Sequence, residues 1–194
     1  DYRYDIKRLV RDICTSHAYQ RSVVRNDSNQ LDERNYAHAT PRRLRAEILL
    51  DCISQVTATE DKFQGLPLGS RAVQIADGRT SNYFLTTFGR AARDTCSVAE
   101  VSTDPSLSQA LHMLNGPTVH SKISQGGLIK KWLSEDWTVD QVIRALYQRA
   151  LTRQPTAREL ERLGALVAET ENRQQGLEDV FWSILNSREF VFNH

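Results

Sequence analysis

Apolar residues recur at helical spacing over several stretches of this chain, and most of those stretches have marked ends. In DIKRLVRDIC, Ile6, Leu9, Val10, Ile13 and Cys14 fall on one stripe, which predicts an amphipathic helix with a basic outer face. The segment from Ser16 to Thr40 is polar and has no sustained period, so it is expected to be a long connection. In TPRRLRAEILLDCISQV, Thr40 stands where an N-cap would and Pro41 at the first helical position, where a missing N–H costs nothing. That register turns Leu44, Ile48, Cys52, Ile53 and Val56 inward.

The pattern changes between Ala58 and Asp104. Gly65, Pro67, Gly69 and Gly78 interrupt it, and RAVQIAD alternates weakly, as a short extended segment does. Any strand is therefore expected between residues 70 and 90. Beyond it, DPSLSQALHMLNGP predicts a helix capped by Asp104, with a stripe of Leu107, Ala110, Leu111 and Leu114 and a stop at Asn115-Gly116-Pro117. The last third reads as helices throughout. Thr138 with Gln141, and Thr156 with Glu159, have capping-box spacing. Val139, Val142, Ile143, Leu146, Tyr147, Ala150 and Leu151 form one apolar face, and Leu177, Val180, Phe181, Ile184 and Leu185 form another. Short links between these segments predict antiparallel neighbours. The fold class expected is mainly α, a helical bundle or array whose irregular central segment holds at most a short strand or hairpin.

Composition narrows the function classes. With 194 residues, 40% of them hydrophobic, the chain can bury one good core, so residues 1–194 are expected to form a single domain with a soft boundary near 125–137, around Gly126 and Gly127. Its 25 Lys and Arg against 24 Asp and Glu leave a net charge of +1, which supplies no field to hold a polyanion, and nucleic acid is not an expected partner. The apolar runs fall far short of the roughly 20 residues needed to span a bilayer, so membrane insertion is not expected. The chain starts at Asp1 without an initiator Met or a leader pattern, which suggests a portion of a longer protein.

Motifs for chemistry are sparse. The three cysteines, Cys14, Cys52 and Cys96, are widely spaced and form neither C-x-x-C nor C-x-x-C-H, so no zinc or haem attachment is expected in this chain. Cys14 and Cys52 lie on apolar stripes and are expected to be buried thiols. No two of the five histidines have i, i+4 spacing, and neither glycine-rich phosphate loops nor nucleophile-elbow patterns occur. No catalytic residue can be named.

The stretch FGRAARDTC, residues 88–96, concentrates the polar chemistry. As a clamp, Arg90 and Arg93 would donate to helix C-terminal carbonyls and to Asp94 or Glu100, a task that suits the five-donor guanidinium fork. As a ligand site, Arg90, Arg93, Asp94, Cys96, Glu100, His112 and Asn115 would line a pocket for an anionic or sugar-like ligand. Trp132, Trp137 and Trp182 read as packing residues.

Five blocks, YDIKRLVRDICTSHAYQRS, TPRRLRAEILLDCISQVT, SNYFLTTFGRAARDTC, LSQALHMLNG and LEDVFWSILNSREFVFNH, together resemble the planctomycete-type domain of unknown function 1553, also called the PSD family. The family usually carries two prolines where this chain has Ala91 and Ala92. The resemblance implies the C-terminal part of a large exported protein, truncated here at its N-terminal side, whose other domains include a companion of unknown function and a cytochrome c-like domain. It implies partners in those upstream domains, a carbohydrate ligand, haem confined to an upstream domain, and a periplasmic, cell-surface or secreted location. The function it implies is a non-catalytic helical module; the alternative is a share in a hydrolytic or redox site, polysaccharide-related, completed by an upstream domain.

Overall fold

A computed structural model describes residues 3–32, 34–78, 80–91 and 106–193. The chain forms two compact units, Asp1–Arg42 with Phe192–His194, and Arg43–Val191. The described residues are mainly helical, as the periodicity predicts.

In the first unit, α1 (Ile6–Cys14) is capped by Asp5, whose carboxylate accepts the Arg8 amide at 3.0 Å. The predicted stripe is present but not covered: no residue of α1 is buried, and Ile6 is 64% exposed. The expectation of a buried Cys14 is therefore corrected, since its thiol is exposed. The described residues of the connection that follows are held by local turns. Asn26 accepts the amides of Ser28 and Asn29, while Asp32 accepts those of Asn35 and Ala37. Those amides hold the Asp32 carboxyl below its usual range.

The strand pairing among the described residues is not where the alternation predicted it. It joins β1 (Arg42–Arg43) to β2 (Phe192–Asn193), whereas Ala72–Gln74 forms a 3₁₀ turn. That turn is fixed by Asp51, whose carboxylate accepts the amides of Ala72 at 2.5 Å and Val73 at 3.3 Å. Pairing also explains why α2 (Ala46–Thr57) begins later than Thr40 and Pro41 suggest. The Leu44 amide is committed to the Val191 carbonyl at 3.0 Å, and Arg43 is turned inward toward the Phe88 carbonyl at 2.9 Å. The register shifts accordingly: Leu49, Leu50, Ile53 and Val56 are buried, while Ile48 is 41% exposed.

In the second unit, the short helix α3 (Tyr83–Thr87) and the pair α4 (Leu107–Asn115) and α5 (Pro117–Gly126) precede α6 (Leu128–Ser134). The array α7 (Val139–Leu151), α8 (Ala157–Glu169), α9 (Arg173–Leu185) and α10 (Arg188–Val191) completes it. Helix α2 packs against the 72–74 turn, α3 and α5, while α9 packs against α5, α6, α7, α8 and α10. Both predicted capping boxes are present, at Thr138/Gln141 and Thr156/Glu159. The predicted inward face of α9 is buried, and that of α7 is buried at Val142, Ile143, Leu146 and Tyr147, with Val139, Ala150 and Leu151 half-buried against the core. Trp132 and Trp137 stack at 5.3 Å and, like Trp182, pack against the core.

Helix α4 reverses the expectation. Its leucine stripe faces out, with Leu107 75% and Leu111 49% exposed, while Gln109, His112 and Met113 are buried. Polar partners decide the rotation: Gln109 donates to the Thr87 carbonyl at 3.2 Å, and His112 is bonded to Thr118. Ser106 caps the helix with Gln109 as its box partner; the predicted cap, Asp104, lies outside the described residues. Gly116-Pro117 does not end helical structure but starts α5, with Pro117 in its first turn.

Candidate functional site

Arg90 is a clamp. Phe88 is buried at the end of α3, Gly89 adopts φ +78°, and this left-handed turn sends Arg90 back into the unit. Its Nη2 donates to the carbonyls of Asp77 at 2.9 Å and Ile75 at 3.3 Å, and its Nη1 to that of Thr80 at 3.3 Å. The Nε faces Glu47 in the first turn of α2 at 3.5 Å, an ion pair without hydrogen-bond geometry. The Arg90 side chain is only 4% exposed. One guanidinium thus fastens the irregular segment 75–80 to the start of α2.

A cleft opens elsewhere in the same unit, with a volume of about 390 Å³. Leu50 and Phe84 supply apolar wall, and His112 lies beside them with its ring 5.5 Å from Phe84 and 5.2 Å from Tyr83. The imidazole Nε2 lies 2.9 Å from the Thr118 hydroxyl. Burial lowers the His112 pKa below its ordinary value, which favours the neutral ring.

The other wall carries an ion pair between a buried lysine and a half-buried aspartate. Lys122 donates to Asp61 Oδ1 at 2.6 Å and to the Thr59 hydroxyl at 3.4 Å. The Ser54 hydroxyl lies within hydrogen-bond reach of Asp61 Oδ2 and, at 2.8 Å, of the Leu50 carbonyl, two acceptors that share its single proton. This network ties α5 to the end of α2. Ser54 lies behind the wall and does not line the cleft, so its hydroxyl is not presented to a substrate.

Among the described residues of the candidate ligand set, His112 lines this cleft, together with Tyr83 and Phe84 of the aromatic run before Gly89. Arg90 is committed to its carbonyls, and Asn115 is exposed at the end of α4. Arg93, Asp94, Cys96 and Glu100 lie outside the described residues. Among the described residues no group of three His, Cys, Asp or Glu side chains could hold a metal ion. Asp61, Lys122, Ser121 and Gln125 were missed, although Thr118, Ser121, Lys122 and Gln125 have the i, i+3, i+4, i+7 spacing of one helix face.

The family model described as "Protein of unknown function (DUF1553)" matches residues 1–167. The chain belongs to this family. No curated protein and no solved structure shows significant similarity to it. The DUF1553 match covers α1 to α7 and most of α8, and so includes both the Arg90 clamp and the cleft. Among the described residues no helix is long and apolar enough to cross a membrane.

Proposed function

We propose that this DUF1553 domain is a non-catalytic helical module of a larger exported or cell-envelope polypeptide, partnered by upstream domains of the same chain. The observation that carries the reading is the commitment of Arg90: the strongest donor of the family-like FGR stretch is spent on three backbone carbonyls and Glu47. The cleft supports it too, because its lysine and aspartate neutralise one another and its histidine is buried with a hydroxyl partner. A general base needs a free site within reach of the proton it takes. Haem chemistry and a periplasmic or surface location belong to this proposal through the parent polypeptide.

The test uses the parent polypeptide with His112→Gln and Asp61→Asn introduced singly. Retention of its activity in folded variants is the expected result. Loss of turnover with unchanged folding in either variant would establish the competing reading, a hydrolytic or redox site shared with an upstream domain.

A further inference from the structure

We propose that the cleft beside Tyr83 and Lys122 binds an uncharged saccharide. The inference deepens the module reading and rests on it. Charge sets the first constraint. Lys122 is held by Asp61 at 2.6 Å and Glu60 also lines the cleft, so the charged lining sums to a net negative value and offers no free cation to an anion. A ligand that binds here must be satisfied mainly by neutral hydrogen bonds.

The lining provides them in both directions. Asn82 spends its side-chain oxygen on the Leu85 amide at 3.0 Å, which leaves its amide nitrogen to donate. The side chains of Ser121 and Gln125, one turn apart on α5, have no hydrogen-bond partner among the described residues. A hydroxyl and a carboxamide each donate and accept, which matches a ligand bearing many hydroxyls, each also a donor and an acceptor.

An aromatic face completes the site. Tyr83 is 73% exposed although its neighbours Phe84 and Leu85 are buried. Its ring is kept in place by the His112 ring at 5.2 Å. An exposed, supported ring at the edge of a polar cleft offers apolar area to the C–H face of a sugar ring while leaving the hydroxyl rim to α5. The cleft volume of about 390 Å³ lies within the range of small-molecule sites.

The experiment titrates the ¹⁵N-labelled chain with cellobiose, maltose and N,N′-diacetylchitobiose, and separately with glucuronate and choline. At least one neutral disaccharide should shift amides around Tyr83, Ser121 and Gln125 with millimolar affinity. Tyr83→Ala should weaken that binding about tenfold at an unchanged melting temperature. Gln125→Ala should weaken it less. The proposal is overturned if no neutral sugar shifts these amides, if Tyr83→Ala binds as the parent does, or if glucuronate or choline binds in preference. Binding followed by cleavage or oxidation of the sugar would leave the site standing and overturn the non-catalytic reading instead. Absence of binding would remove the site and leave the module reading intact.

Discussion

Gly126 lies against the carbonyl oxygen of Thr57, so close that a β-carbon on the glycine would be 1.7 Å from that oxygen. The contact is made by backbone on both sides, and no side-chain rotation can relieve it. It sets how near the end of α5 comes to the end of α2, and hence where Lys122 meets Asp61. Gly126→Ala should destabilise the domain by about 1–3 kcal/mol through overpacking. Urea denaturation measures this; a midpoint equal to the parent's would show that the two helices separate without cost.

Arg90→Ala removes the donor from three carbonyls and leaves Glu47 in a largely buried setting. A loss of about 1–3 kcal/mol is expected. Arg90→Lys should recover little of it, because a compact ammonium on one stem cannot reproduce the planar fork. Thermal melts of the two variants beside the parent check the point, and full rescue by lysine would refute the clamp.

A pH effect is expected at the other end of the unit. Arg153 joins Glu159 through both Nη atoms and Glu189 through Nε and Nη2, with distances from 2.6 to 3.0 Å. Its guanidinium, followed by hydrogen bonds from Thr156, holds the Glu159 carboxyl at about 2, below the ordinary 4.5. A depressed folded-state pKa means that the unfolded chain binds protons first as pH falls. Stability from Glu159 is therefore fully present above pH 4.5 and drains away as pH falls from there toward 2. The group is partly exposed, so solvent screening keeps the effect small. Comparing melts at pH 6 and pH 3 for the parent and for Glu159→Gln tests it: the variant should lose less on acidification.

The thiols should react in order of exposure. Cys14 is exposed on α1, whereas Cys52 is half-buried and burial pushes its thiol pKa up. Because thiolate is the reactive form, a maleimide should label Cys14 well before Cys52 in the native protein. Mass spectrometry of time points reads the order directly, and equal rates would contradict the burial of α2's face.

Legibility in the sequence followed the range of the deciding interactions. Helices α7 and α8 were readable because Thr138, Gln141, Thr156 and Glu159 make their caps within one turn. The orientation of α4 was not readable, because Gln109 and His112 are drawn inward by Thr87 and Thr118, partners that hydropathy ignores. The start of α2 was misplaced for a similar reason: the Leu44 amide is taken by Val191, near the other end of the chain. Arg90 was expected to meet helix C-terminal carbonyls, whereas its acceptors at Ile75, Asp77 and Thr80 belong to an irregular segment whose carbonyls carry no side-chain signature. For the cleft, the polar face of α5 was visible in principle. The helix itself went unread because Asn115-Gly116-Pro117 looks like an end when it is a hinge between two helices.

The end of α2 has a consequence for the order in which the domain assembles. Its last turn leaves carbonyls at Gln55 and Val56 that are met by Arg149, at 2.8 and 2.6 Å, from 94 and 93 residues further along. Pairings of such separation must overcome loop-closure entropy before they contribute anything. The α7–α8–α9 array, linked by short turns, carries no such delay. Until α7 has formed, the end of α2 has its local cap, the Ala58 and Thr59 amides on the Gln55 and Ser54 carbonyls, but not the arginine. In refolding, amides of the C-terminal array should gain protection from exchange first, with α2 held to the pace of its distant arginine.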